Sequence, residues 1–186
     1  KLSARPKVVV AAGADVPRQR FTLAHELGHL SLPWQAGSVF CHPSDGTYVP
    51  TDAIAAEIER EAHHFASEIL MPRRWLDDML YSSDDLSRKI HSVVKEANVS
   101  VGAGMIACQE AIQFPAILCF INSNGDIIYR HRSELWPAAH AQAWPGNAST
   151  LESSGWHMTE FTFRETGSRI LAASLDESHA SKIRKP

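Results

Sequence analysis

The sequence is poor in cysteine: Cys41, Cys108 and Cys119 are the only three in 186 residues, and no CxxC spacing occurs. An odd, scattered set argues against a disulfide framework and fits a reducing compartment. Charge of one sign is also scarce. With 18 basic and 21 acidic residues the formal net charge is only -3, so no broad electropositive surface is available for sequence-independent DNA binding, and nucleic acid has only local patches to use. No apolar run approaches the roughly 18 residues of a membrane helix, and the opening Lys-Leu-Ser-Ala-Arg-Pro lacks a signal-peptide core. A soluble, cytoplasmic protein with no membrane partner is expected. The first residue is Lys1 rather than Met, which implies a segment upstream of it. Internal repeats and low-complexity tracts are missing too, while a hydrophobic content of 44% and a charged content of 21% are the balance of a globular chain with a true core. Histidine, at ten residues, is what the chain has in plenty, and it raises the question of a metal site.

Along the chain, Lys7 to Ala12 is a β-branched run between Pro6 and Gly13 and reads as a strand. A helix is expected after Pro17, from Arg18 to about Leu30, with Pro33 placed to stop it. Residues 33–50 read as a loop with an extended piece near Ser38 to Cys41. The next helix runs from Ala53 to Leu70, with Thr51 or Asp52 as its N-cap and Met71-Pro72 as its stop. Shorter helices are expected near Arg73 to Leu80, Asp84 to Ala97 and Ser100 to Ile112. The character changes at Pro115. Ala116 to Ile121 and Asp126 to His131 are β-rich runs around Asn122-Ser-Asn-Gly125, a hairpin signal. Residues 135–156 read as irregular. Phe161-Thr-Phe163 and Arg169 to Leu175 read as further strands, or as a strand and a short helix. The fold class expected is α+β, with a mainly helical region over 1–114 and a smaller β-containing region over 115–186.

His25-Glu-Leu-Gly-His29 is an H-E-x-x-H on a predicted helix, where i, i+4 spacing puts both imidazoles on one face, able to reach a single ion. Phe21, Leu23, Ala24, Leu27 and Leu30 surround the motif with apolar groups, so two histidines and a carboxylate without partners there would be costly. A catalytic zinc takes three protein ligands and leaves one position for water. Rotating at 100° per residue along the second helix, Ile54, Ile58, Ala62, Phe65, Ala66 and Ile69 share one face, and Glu59 falls inside it. A carboxylate on a core-facing stripe needs a compensating cation, and Zn2+ between His25 and His29 would supply it. Glu59 is therefore the expected third ligand, with His63 at the edge of the stripe as the runner-up ligand or as a partner that supports the ligands from outside. Glu57, Glu61, His64 and Glu68 cluster on the opposite side and read as a solvated charged face. Glu26, about 100° around the helix from His25, is placed to reach the attacking water rather than the ion, the position of a general base.

Arg20-Phe-Thr-Leu-Ala-His-Glu-Leu-Gly-His29, with Glu59-Arg-Glu-Ala-His-His-Phe-Ala-Ser-Glu-Ile-Leu-Met-Pro72, resembles the ImmA/IrrE family of metallopeptidases. Asn98-Val-Ser-Val101 is a weaker match. The resemblance implies a small zincin-like metallopeptidase domain whose zinc site is completed by the Glu beginning the second block, here Glu59. Where the family commonly has Asn or Asp four residues later, this chain has His63. The resemblance further implies a cytoplasmic endopeptidase that inactivates a helix-turn-helix repressor in a DNA-damage, phage or mobile-element stress response. It also implies a C-terminal sensor-like region of GAF type, to which residues after Pro115 correspond.

Weaker signals remain. His42, Tyr48, His63 and His64 are candidates for stabilising the oxyanion of a tetrahedral intermediate. A thiolate is a strong zinc ligand, so Cys108 is a candidate inhibitory fourth ligand, ahead of Cys41 and Cys119. The strand near Val8 to Ala12 could pair with an extended substrate. Arg73-Arg74, Arg88-Lys89, Arg130-His-Arg132 and Lys182 to Lys185, beside Trp75, Tyr129 and Trp136, could receive single-stranded DNA as an effector. Two other functions compete with the endopeptidase: a non-proteolytic metal-bound module that controls a repressor by contact, and a small-peptide hydrolase. An intact Glu26 favours the endopeptidase, because a structural site has no use for a general base.

Overall fold

The structure is a computed structural model, and it describes residues 7–10, 13–35, 53–81, 84–133, 135–136 and 156–175. These fall into two compact units, residues 1–72 with 98–100, and residues 73–97 with 101–186.

The first unit is built on two helices. Helix α1 (Val16–Ser31) begins with Pro17 in its first turn, where a missing N–H costs nothing. It ends where the Leu32 N–H reaches back to the Gly28 carbonyl at 3.0 Å and Pro33 prevents continuation. A short 3-10 turn, Pro33–Gln35, follows. Helix α2 (Ala53–Leu70) has the bounds expected from its periodicity, with Met71 N–H closing on the Ser67 carbonyl before Pro72. The two helices pack through small residues: Ala24 and Gly28 on α1, Ala62 and Ala66 on α2, all buried. A methyl group built at Gly28 would stand 3.2 Å from the Cα of Ala62 and 3.3 Å from its carbonyl oxygen. Glycine here sets how closely the backbones approach. Gly28→Val is expected to force α1 and α2 apart and destabilise the chain by about 1–3 kcal/mol, read from its denaturation midpoint; an unchanged midpoint would show that the crossing has slack.

The second unit holds helices α3 (Arg73–Met79), α4 (Leu86–Ala97) and α5 (Val101–Ala111) and a four-stranded antiparallel sheet. Its strands are β1 (Ala116–Ile121), β2 (Ile127–Arg132), β3 (Trp156–Thr162) and β4 (Arg169–Leu175), in the order β2-β1-β4-β3. Ala-Ile-Leu-Cys-Phe-Ile is apolar on both faces, as a central strand must be, and β1 lies between β2 and β4. The β1–β2 turn closes on Asn122, whose side-chain oxygen accepts from the N–H groups of Asn124 and Asp126, while Gly125 takes a φ of 91°. On one face of the sheet the Ser87 N–H of α4 donates to Thr159 Oγ1 at 3.0 Å and His91 stacks on Phe161 with ring centres 3.8 Å apart. On the other, Ile117, Cys119, Ile121 and Ala173 form a core with Trp136 and Trp156, whose rings stack at 3.9 Å.

The fold is α+β, as expected. The helices from Arg73 to Ala111 cluster with the sheet rather than with α1 and α2, so the change of character at Pro115 falls inside the second unit. Two local expectations are corrected. Residues 7–10 form no strand among the described residues: a β-branched run becomes a strand only when another strand takes up its hydrogen bonds. The region around Trp156 is not irregular, because β3 begins there. Ser38 to Cys41, the caps Thr51 and Asp52, and residues 11 and 12 lie outside the described residues.

Candidate metal centre

The close crossing of α1 and α2 places the two histidines of the first helix against one carboxylate of the second. His25 and His29 are one turn apart on α1, and their Nε2 atoms are 3.1 Å from each other. The Glu59 carboxylate of α2 reaches both: Oε2 lies 3.2 Å from His25 Nε2 and Oε1 lies 3.6 Å from His29 Nε2. Among the described residues these three form the group whose ligand atoms converge, all within 4.8 Å of one another.

Those separations suit a divalent ion. Ligand bonds of about 2.0–2.1 Å arranged tetrahedrally put donor atoms about 3.3 Å apart, which lies within the observed range of 3.1–3.6 Å. The electrostatics agree. His25 is 7% exposed, and burial, followed by the neighbouring His63 and His29, pushes its pKa down to about 4 against the upward pull of Glu59. A neutral imidazole at pH 7 is ready to donate its lone pair. A consequence follows for the metal-free chain. Its unfolded form takes up a proton on this histidine below pH 6.5, whereas its folded form does so only near pH 4, so stability should fall as pH drops through that interval. Denaturation midpoints at pH 7 and pH 5 check this: the slope should flatten in His25→Phe, and an equal slope in both chains would contradict it.

The other expected site residues are placed as follows. Glu26 is half-buried on α1, one position beyond His25. His63 is exposed; its Nδ1–H donates to the Glu59 carbonyl oxygen at 2.8 Å, and its ring centre lies 4.5 Å from that of His25. It borders the group without joining it. Cys108 is not part of the group either. It is wholly buried in α5, and burial pushes its thiol up to about 12. His42 and Tyr48 lie outside the described residues, and His64 lines a pocket beside Leu32, Trp34 and Phe65 without joining the ligand group.

Two residues escaped sequence reasoning. Gln35, 3% exposed, was hidden in a segment that read as loop. Its Oε1 lies 2.8 Å from His29 Nδ1, and its Nε2–H groups donate to Glu61 Oε2 at 2.7 Å and to the Ile58 carbonyl at 3.2 Å. Glu61, expected on a solvated face, also accepts from Trp34 Nε1 at 2.6 Å. These donors, Trp34 first and then Gln35, hold its carboxyl below the usual carboxylate range. The only forward signal was proximity in sequence: Gln35 follows the second histidine by six residues, just past the Pro33 stop.

The profile of the IrrE N-terminal-like domain, a peptidase family, matches residues 2–104, more than half of the chain. The chain belongs to this family. It is similar to the radiation response metalloprotease IrrE of Deinococcus radiodurans, with 30% identity over 115 residues, which are 59% of this chain and 33% of that protein. The chain thus spans about a third of that relative's length. A solved structure described as a Mycobacterium tuberculosis transcriptional regulator aligns over 92% of this chain and 59% of its own, with a TM-score of 0.46 and 13% identity. That likeness is too distant to bear on function. Family membership agrees with the motif pair at His25 to His29 and Glu59 to Pro72, both of which fall inside the matched residues.

Three of the groups named for single-stranded DNA have other partners. Trp136 is buried against Trp156, Arg73 pairs with Asp77 and donates to the carbonyls of Glu110 and Ala111, and Arg88 pairs with Asp85. An aromatic ring closed into a core cannot stack on a base, which removes Trp136 from such a surface. Lys182 to Lys185 lie outside the described residues. Among those residues no helix is long and apolar enough to cross a membrane.

Proposed function

We propose that the chain is a zinc endopeptidase that controls transcription by cutting a helix-turn-helix repressor. The observation that carries the reading is the convergence of His25, His29 and Glu59 at tetrahedral donor spacing, with a second carboxylate, Glu26, next to His25 in sequence. Two imidazoles and one carboxylate fit zinc and leave a coordination position over. When bound, zinc polarises the scissile carbonyl and lowers the pKa of a water toward neutrality. Glu26 then takes the proton of the attacking water and delivers it to the departing amine nitrogen. His63, its Nδ1–H committed to the Glu59 carbonyl, is the candidate partner for the developing oxyanion, a role that requires a second proton on Nε2, because a lone pair there cannot donate. A regulatory peptidase is supported by the family and by its Deinococcus relative, a radiation response metalloprotease; a repressor substrate and a sensor-like role for residues 115–186 belong to the same reading.

The test mixes the purified chain, loaded with zinc, with the repressor encoded beside its gene and follows the products by mass spectrometry. A single new pair of fragments that is absent with a chelator supports the reading. Relief of repression without any fragment would move the assignment to control by contact.

A further inference from the structure

The three side chains His29, Gln35 and Glu61 form a directional chain. A carboxylate and a main-chain carbonyl can only accept, so the contacts from Gln35 Nε2 to Glu61 Oε2 at 2.7 Å and to the Ile58 oxygen at 3.2 Å orient the amide with its NH2 toward α2. Its oxygen must then face His29 Nδ1, 2.8 Å away. An oxygen accepts there only if Nδ1 carries the hydrogen, which leaves the lone pair of the neutral ring on Nε2. Nε2 is the atom that converges with His25 and Glu59. The turn is held on α2 by the same carboxylate, because Trp34 Nε1 donates to the same Glu61 oxygen at 2.6 Å.

We infer that Gln35, oriented by Glu61, is a positioning residue that locks the His29 ring in the tautomer able to bind metal through Nε2. The inference rests on the zinc reading for its purpose, though the lock exists in the metal-free chain. Outer partners of this kind fix ring orientation and raise the basicity of the ligating nitrogen. Gln35 touches neither metal nor substrate, and Glu61 acts only through it.

Three variants of the whole chain test this. Gln35→Leu keeps the buried position filled but removes the acceptor. Gln35→Glu supplies an acceptor but sets two carboxylates against each other. The double variant Gln35→Glu with Glu61→Gln exchanges amide and carboxylate, restoring an acceptor for His29 Nδ1–H and a donor between the two side chains, while giving up the donation to the Ile58 carbonyl. Nitrogen-15 NMR of the metal-free chain reads the His29 tautomer, and zinc competition with a chromophoric chelator reads affinity. The parent should show His29 protonated on Nδ1. Gln35→Leu should show mixed tautomers and zinc binding weaker by about 10–100-fold. Gln35→Glu, which keeps an acceptor, should hold the parent tautomer but bind zinc less tightly, and the double variant should return the affinity toward the parent. A Gln35→Leu chain with the parent tautomer and affinity would overturn the inference, as would a double variant no better than Gln35→Glu. The two readings fail separately. A parent that binds no zinc, yet whose tautomer responds as described, removes the zinc assignment and leaves the lock standing.

Discussion

Glu26→Gln is expected to retain a full complement of zinc while cleavage slows by about 10²–10⁴-fold, the usual contribution of a positioned general base. The substitution is close to isosteric and removes the basic oxygen alone. None of the three converging ligand atoms belongs to residue 26, so the metal content should not move. Elemental analysis together with fragment yield separates the two effects, and a Glu26→Gln chain that still cuts at the parent rate would remove Glu26 from the mechanism.

Glu59→Ala is expected to have the larger effect on the metal itself. Glu59 is the sole carboxylate among the converging groups, and it spans both imidazoles with its two oxygens. Its loss leaves two neutral nitrogens to face a divalent charge, with no anion to offset it. Zinc affinity should drop by more than the roughly 10–100-fold that outer-shell changes cost, and cleavage should vanish with it. Parent-like zinc stoichiometry in Glu59→Ala, measured after exhaustive dialysis, would hand the third position to another side chain, and His63 is the neighbour to try first.

Much of this was legible before any coordinates. The α2 bounds followed from Thr51, Asp52, Met71 and Pro72 as punctuation, and the helical face on which Glu59 sits among apolar residues was readable because a 3.6-residue period projects directly onto a packed surface. The β1–β2 hairpin was readable because Asn122 and Gly125 have conformational roles that few residues share. Tertiary consequences were not. Periodicity states that α4 has an apolar side but not that the side meets Thr159 and Phe161 of β3. Nor does it show that a glutamate on the polar side of α2 accepts two hydrogen bonds from a neighbouring turn. Glu61 and Gln35 each look ordinary alone, and only their meeting across 26 positions of chain gives them a task. Cys108 shows the same gap: the sequence presents the thiol but not the burial that raises its pKa.

The contact at Gly28 divides the two unassigned letters of the His-Glu-x-x-His motif into unequal halves. Leu27 stands 44% in solvent and should accept almost any side chain, so a saturation library ought to return a broad alphabet there. Position 28 meets the Cα and carbonyl oxygen of Ala62, atoms that every amino acid possesses, so no replacement at 62 can make room for a second-site revertant. Variation in this motif should therefore run mainly through its first free letter, with the second admitting at most alanine, whose Cβ needs the crossing to give by a few tenths of an ångström.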